Sequence, residues 1–239
     1  MILDIKSLKK RRILSSLIVL LLLAPCFIWI TLKDNDYNAA KASLPIPLVI
    51  IDPGHGGVDS GAIAADGSKE SDINLAIALK LRALAEFYGI DNLLIRQEDI
   101  TLSDTASYSE HRDLQCRTDI VNAKENSIYI SIHQNCYPTG QASGSLVIYS
   151  ENDKSEKLGK LTHENLITYL NPDNRRLAEP AGNKFFILSH VECPAILVEC
   201  GFMSNFSESE KLRSSDYQTS IAGVLIGSFI QYTQDTKYI

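Results

Sequence analysis

The sequence predicts an α/β domain, in which a largely parallel, twisted central sheet is flanked by helices, preceded by an N-terminal transmembrane helix. Short aliphatic runs alternate with longer segments of helical spacing, as in layered α/β domains. The aliphatic runs are nearly continuous, which is typical of strands buried on both faces. A long apolar stretch near the N-terminus carries no charge. With 239 residues, the chain is long enough for one sizeable domain and an N-terminal appendage.

Residues 1–33 are expected to form a membrane anchor or signal segment. A cluster of lysines and arginines precedes an apolar run from Ile13 to Leu32, about the length that crosses the hydrocarbon core. Basic residues stay on the cytoplasmic side, so we expect a single-pass protein of the cell membrane whose remaining chain is extracytoplasmic. Secretion after cleavage of the segment is the alternative, although the small-residue site at 40–42 lies far beyond the apolar run.

Residues 34–47 predict a short tether, which is polar and alanine-rich before Pro45 and Pro47 stiffen it. The main domain is expected to span residues 48–235.

The segment 1–33 holds six of the 23 basic and one of the 29 acidic residues, which leaves a formal charge of −11 for the remainder. Such a surface does not attract nucleic acid through bulk electrostatics, so no nucleic-acid partner is expected.

The elements of the main domain follow from its apolar spacing. The first strand is the aliphatic run Leu48–Ile51, and the first helix, Lys69–Tyr88, places its apolar side chains on one face and ends at Gly89. The other predicted elements are strands at 93–95, 128–132, 146–149, 185–188 and 195–198, and helices at 108–124, 155–170 and 216–232. The segment 171–184 contains two prolines and a glycine, so it predicts a loop that leaves the neighbouring cleft open.

Polar side chains follow three of the most apolar strands. His55 comes after the first strand, His133 after the strand at 128–132, and Glu199 after the strand at 195–198. Ligands of open α/β sheets bind outside the carboxyl ends of the strands, so these side chains are expected around one crevice. Glu70, at the start of the first helix, returns a carboxylate to the same edge. The glycines beside His55 allow a sharp turn and close approach of the backbone.

Two histidines and a carboxylate suit Zn²⁺ with positions left open, and a further carboxylate can serve as general base. Each signal alone is weak, because an isolated histidine after a strand is more often a satisfied polar residue. The cysteines beyond residue 33 match no zinc-ribbon or disulfide-scaffold spacing. We expect them to be small buried residues, with one disulfide as the alternative.

Four motifs carry a resemblance to a known family: "DPGHGGVDSGA", "KESDINLAIA", "SIHQN" and "PAILVECGFMSN". From about Leu48 to Tyr232, the sequence resembles the zinc-dependent N-acetylmuramoyl-L-alanine amidases, which are bacterial cell-wall hydrolases. Within that family it looks most like the membrane-anchored spore-cortex, or germination-specific, amidases, which share the stretch like "LSDTASYSEHRDLQCR" before the third ligand strand.

The resemblance implies that His55, Glu70 and His133 bind one Zn²⁺ and that Glu199 is the catalytic carboxylate. It implies hydrolysis of the amide between N-acetylmuramic acid and L-alanine in peptidoglycan, in maturation of the spore cortex. Zinc would polarise the carbonyl and lower the pKa of its water, while Glu199 passes the proton to the leaving amine. The resemblance identifies no substrate-binding residue. Gln134 and Cys136 depart from the family pattern, which concerns the substrate fit and leaves the ligands intact.

Other interpretations stay open at this point. A zinc peptidase or deacetylase acting on another cell-wall amide could use the same chemistry, and a non-catalytic wall-binding module would be expected to lack a ligand or the final glutamate. An activating protein partner is possible but unidentified by the sequence. His190 lies near the crevice edge. Arg96, Arg112 and Arg117 are expected to pair with helix carboxylates rather than with substrate.

Overall fold

A six-stranded sheet lies at the centre of the computed structural model, which describes residues 45–103 and 105–236. In chain order its strands are β1 (Leu48–Pro53), β2 (Asn92–Leu94), β3 (Ser127–Asn135), β4 (Leu146–Tyr149), β5 (Glu179–Pro180) and β6 (Ala195–Phe202). Their spatial order is β2-β1-β3-β6-β4-β5. The first four strands in this order run parallel, whereas β4 is antiparallel to β6 and parallel to β5. The predicted α/β fold with a largely parallel sheet is therefore confirmed.

Helices cover both faces of this sheet. In chain order they are α1 (Glu70–Phe87), α2 (Glu110–Asn122), α3 (Asp153–Leu170), α4 (Phe186–His190), α5 (Phe206–Arg213) and α6 (Ser215–Asp235). Val49 and Ile51 of β1 pack into the core shared with α1, α3 and α6. Ile50 faces the opposite core, to which α2 and α4 contribute Val121 and Leu188. Alternate side chains of one strand are thus buried on opposite faces, which explains the continuous aliphatic runs.

The run at 185–188 was predicted to be a strand, and this prediction is wrong. The run enters the short helix α4, which follows a 3-10 turn at Gly182–Lys184. The Ser189 hydroxyl donates to the carbonyl of Phe185, four residues earlier, at 2.9 Å, as helical geometry allows. A short apolar run fits a strand and a buried helical turn equally well, so periodicity cannot separate them. The prediction also omitted β5 and α5.

The predicted location as a single-pass protein of the cell membrane requires correction. Among residues 45–103 and 105–236, no helix is both long enough and apolar enough to span a bilayer. The longest described helix, α6, has 21 residues but carries polar side chains along its exposed face. The segment 1–33, on which the transmembrane prediction rested, lies outside the described residues, as does the tether up to residue 44. The membrane assignment is therefore not retained.

The four described cysteines are all free. Cys200 is buried as expected, whereas Cys136 is exposed and Cys116 and Cys193 are half-buried. The expectation of uniformly buried cysteines is thus only partly confirmed, and no disulfide joins any of these four.

Candidate metal centre and active-site cleft

The chain turns sharply after β1 and brings His55 back over the sheet edge. The amide of Gly54 still donates to the carbonyl of Ile132 at 3.0 Å, so the loop starts in register with β3. His55 then adopts a left-handed backbone, with φ of 61°. This conformation is uncommon for a residue with a Cβ and is found where surrounding contacts impose it.

His55, Glu70 and His133 form a compact cluster whose potential ligand atoms all lie within 4.8 Å of one another. The Glu70 Oε1 atom lies 3.3 Å from Nε2 of His55 and 3.0 Å from Nδ1 of His133. Ligands of a tetrahedral zinc ion at bond lengths of about 2.0–2.1 Å are separated by roughly 3.4 Å. The cluster therefore has nearly the spacing that one zinc ion requires, with room for further ligands.

The Glu70 carboxylate is fixed from several sides. Its Oε1 accepts from the amide of Gln134 at 3.0 Å, and its Oε2 accepts from the amide of Ala62 at 2.9 Å. Burial opposes ionisation, but the hydrogen bonds and charges of His133 and His55 hold the pKa of Glu70 far below its usual range. Glu70 is also the first residue of α1, where the helix dipole favours a negative charge. The carboxylate is thus charged and rigidly placed.

Asp59 orients the His55 ring. Its Oδ2 lies 2.8 Å from Nδ1 of His55 and also accepts from the Tyr108 hydroxyl at 3.2 Å. This arrangement leaves Nε2 of His55 directed at Glu70, as in metal sites where a carboxylate fixes the tautomer of a ligating histidine. Burial lowers the pKa of His55, but Asp59 and Glu70 outweigh it and raise the pKa to about 10. The site therefore strongly attracts positive charge.

Two glycines leave the space that the cluster occupies. A Cβ atom on Gly54 would lie 2.2 Å from Cε1 and Nε2 of His133, and one on Gly61 would lie 2.6 Å from Oε2 of Glu70. Real Cβ atoms do not approach other heavy atoms this closely, so any larger residue would displace a side chain of the cluster. The motif's glycines are therefore needed here for close packing.

Gly54→Ala is expected to weaken metal binding by at least about tenfold, because the His133 ring must move to admit the methyl group. Titration of the full-length protein with Zn²⁺ measures this change. Gly223→Ala is the matched control, since Gly223 is exposed on α6 and a Cβ there meets nothing within 4 Å. Unchanged zinc affinity in Gly54→Ala would contradict the assigned packing of His133.

Two buried arginines clamp the loop that carries His55. Arg96 donates to the carbonyls of Pro53 at 2.9 Å and Gly54 at 3.0 Å, and Arg117 donates to the carbonyl of His55 at 2.8 Å. Arg117 also pairs with Asp52 and, at 2.8 Å, with Asp113. These bonds satisfy the backbone carbonyls of an otherwise irregular loop. The clamp explains how the left-handed conformation of His55 is maintained.

Arg117→Met is expected to lower the free energy of unfolding by about 3–5 kcal/mol, because it leaves the buried carboxylates of Asp52 and Asp113 without their cation. Urea unfolding followed by circular dichroism measures the loss. Arg112→Met, on the exposed face of the same helix, is the control and should change stability by less than about 0.5 kcal/mol. A similar stability of the two variants would rule out the clamp as a major stabilising contact.

Glu199 stands beside the cluster on β6, directly opposite His133 in the register of β3 and β6. Its Oε2 atom is buried and has no hydrogen-bond partner in the described part of the chain. Burial and the charge of Glu70 raise the pKa of Glu199 to about 7, against the opposing effect of His133 and His55. A carboxyl with a pKa near neutrality is suited to accept and return a proton.

The cluster and Glu199 line one cleft of about 290 Å³. One wall is formed by Tyr108 and α2, and the other by residues 184–188. The His55 and His133 side chains are 25% and 20% exposed, so the cleft is open to solvent. Between Leu170 and α4, the described residues form only β5 and the 3-10 turn, so the predicted loop at 171–184 is confirmed apart from these two short elements.

The structure brings together all four residues singled out by sequence, but the supporting residues were missed or misjudged. Arg117 does pair with a helix carboxylate, as expected, whereas Arg96 binds backbone carbonyls and Arg112 forms no ion pair in the described part of the chain. Asp59 was not singled out, although a carboxylate four residues after a candidate ligand is a detectable signal. His190 is absent from the residues that line the cleft and instead stacks on Phe186, with ring centroids 4.1 Å apart.

Comparisons with known proteins show which family the chain resembles. Residues 49–229 match the family model described as N-acetylmuramoyl-L-alanine amidase. The germination-specific N-acetylmuramoyl-L-alanine amidase of Bacillus subtilis is 29% identical over 231 residues, which cover 94% of this chain and 95% of that protein.

Solved structures show the same likeness. The CwlD amidase of Clostridioides difficile, solved in complex with the GerS lipoprotein, superposes with a TM-score of 0.75 at 31% identity and covers 79% of this chain and 99% of that one. An N-acetylmuramoyl-L-alanine amidase of Nostoc punctiforme gives a TM-score of 0.70 at 28% identity and covers 80% of this chain and 99% of that one.

Proposed function

We propose that one zinc ion, bound by His55, Glu70 and His133, is the metal that this enzyme uses. The chain belongs to the N-acetylmuramoyl-L-alanine amidase family and has its peptidoglycan amidase activity. Nitrogen and carboxylate oxygen donors suit zinc, and three protein ligands leave an open position, as in catalytic zinc sites. The single observation that carries the proposal is the separation of 3.0–3.3 Å between Glu70 Oε1 and the two imidazole nitrogens.

When bound, zinc supplies a Lewis acid that polarises the scissile carbonyl and activates water. The protein's own residues supply the proton transfer. We assign Glu199 as the general base that takes the proton from the attacking water and returns it to the nitrogen of the leaving L-alanine. Its unpartnered buried oxygen and its pKa of about 7 support this role. Asp59 keeps the His55 ring oriented throughout the reaction.

Product analysis together with metal quantification tests the proposal. The full-length protein, loaded with zinc and incubated with peptidoglycan that carries intact stem peptides, should contain about one zinc per chain. It should release peptides whose amino terminus is L-alanine, as mass spectrometry can identify. Release of D-amino acids or acetate in place of such peptides would point instead to a peptidase or a deacetylase. A chain that binds wall material without cleaving it would act as a wall-binding module.

The biological setting that we propose is the spore cortex. The 29% identity with the germination-specific amidase of B. subtilis over nearly the full length of both chains supports it. Deletion of the gene in an endospore-forming host should leave cortex peptidoglycan without the products of this cleavage and should impair germination. Unchanged cortex muropeptides in the deletion strain would contradict this setting.

A protein partner is the second part of this biological proposal. The similar CwlD amidase was solved in complex with a lipoprotein, which supports the same type of partner here. Affinity purification of the tagged full-length chain from sporulating cells, followed by an activity assay with and without the captured lipoprotein, tests it. Full activity of the isolated chain, with no gain on addition, would argue against an activating partner.

A further inference from the structure

Lys184 lies in the wall of the active-site cleft and has no protein partner for its charge. It ends the 3-10 turn Gly182–Lys184, is exposed, and lines the same cleft as His55, His133 and Glu199. No ion pair or side-chain hydrogen bond of Lys184 occurs within residues 45–103 and 105–236. Its ammonium group is therefore available to a ligand.

The other charges of the cleft wall are mostly committed to protein contacts. Arg117, the other lysine or arginine among the described residues that line the cleft, is buried and paired with Asp52 and Asp113. Asp59 is bound to His55. Lys184 is thus the one lysine or arginine in this described lining that can meet a negative group of the substrate.

The backbone that carries Lys184 is fixed on both sides. Before it, the amide of Ala181 donates to the carbonyl of Tyr149 at 2.9 Å, which ties the turn to β4. After it, the Ser150 hydroxyl donates to the carbonyl of Leu188 at 2.7 Å, which ties α4 to the residue that follows β4. The Ser189 hydroxyl also reaches the carbonyl of Gly182 at 3.1 Å. The backbone beneath Lys184 is therefore preorganised, and only its side chain has to become ordered when a substrate binds.

The chemistry of the substrate provides one negative group close to the bond that is cleaved. In a peptidoglycan stem, L-alanine is followed by D-glutamate, which is joined through its side-chain carboxyl and so keeps a free α-carboxylate. In some walls this group is amidated to D-isoglutamine and is neutral. A cation in the cleft wall therefore separates these two substrates by charge.

We propose that Lys184 binds the α-carboxylate of the second stem residue and thereby makes the enzyme select stems with D-glutamate over stems with D-isoglutamine. The proposal rests on the amidase function of the site. Phe185, Ile187 and Leu188 continue the wall beside Lys184 and offer apolar contacts to the methyl groups that flank the scissile amide. Lys184 acts on substrate affinity, whereas Glu199 acts on the chemical step.

The test compares two muropeptides that differ only in whether the second stem residue is D-glutamate or D-isoglutamine. Lys184→Ala in the full-length, zinc-loaded enzyme should raise KM for the D-glutamate substrate about 2- to 5-fold, as expected for an exposed ion pair, with little change in kcat. KM for the D-isoglutamine substrate should stay unchanged. Lys184→Arg should restore most of the preference, because a guanidinium also binds carboxylates. Equal effects of Lys184→Ala on both substrates, or none on either, would overturn the proposal.

Two further variants test whether another charged residue produces the substrate preference. Lys157→Ala removes an exposed lysine of α3 that does not line the cleft, and it should leave both KM values unchanged. Glu110 is the remaining exposed carboxylate among the described cleft-lining residues, and Glu110→Gln tests whether Lys184 acts through it. If Glu110→Gln also removes the preference for D-glutamate over D-isoglutamine, Lys184 does not bind the substrate carboxylate directly and the proposal fails.

A binding measurement without turnover tests the role of Lys184 separately from the proposed role of Glu199 as general base. In a Glu199→Gln background, calorimetry with the intact D-glutamate muropeptide should show a Kd that Lys184→Ala weakens about 2- to 5-fold. This difference does not depend on which group is the general base. Absence of hydrolysis by the wild-type enzyme would count against the amidase mechanism, whereas an unchanged Kd would count against Lys184.

Discussion

Replacing Glu199 by glutamine is expected to lower amidase activity by about 10²–10⁴-fold while the bound metal is retained. Glutamine keeps the size of the side chain but cannot accept a proton from the attacking water. Glu199 stands opposite His133 in the strand register, yet it is not among the three clustered ligand groups. Steady-state kinetics on muropeptides and zinc quantification of the same sample measure the two effects. Loss of zinc together with activity would show that Glu199 is a ligand.

The pH profile provides an independent check on this role. Burial raises the pKa of Glu199 from 4.5 to about 7, and a bound cation shifts it back towards the lower value. A general base works in its deprotonated form, so wild-type activity should fall as the pH drops through this pKa, with an acidic limb between pH 4.5 and 7. The residual activity of Glu199→Gln should lack that limb. An identical limb in both enzymes would assign it to another group.

Removing either histidine of the cluster is expected to abolish both tight zinc binding and activity. His55→Ala and His133→Ala each leave two protein ligands, which hold zinc poorly, and the retained Glu70 charge then lies in a buried site without its cation. Zinc content after gel filtration and activity at saturating muropeptide measure the result. Excess zinc should restore activity only in part.

His111→Ala is the matched control for these two variants. His111 is exposed on α2 and contacts the Phe186 ring, with ring centroids 5.0 Å apart, rather than the cluster. It should keep about one zinc per chain and most of the activity. Full zinc content in both His55→Ala and His133→Ala would refute the proposed ligand set.

The sequence by itself determined the framework and which polar residues lie together at the sheet edge. Aliphatic runs of strand length predicted the parallel part of the sheet, and the polar residues that end three of those runs predicted where His55, His133 and Glu199 meet. This succeeded because the carboxyl ends of parallel strands share one edge, so a local pattern fixes a position in three dimensions. The position of Glu70 was predictable for a similar reason, since Glu70 begins α1 and this helix starts at the same edge of the sheet.

Only the tertiary structure decided which charged residues support the site and which remain free. Arg96 and Arg117 are far from His55 in sequence, and their hydrogen bonds to its loop depend on how β2 and α2 pack beside β1. The run at 185–188 became a helix, and with it Lys184 entered the cleft wall. Local spacing reports which face of an element is buried but not what that face contacts, because those partners are set by long-range packing.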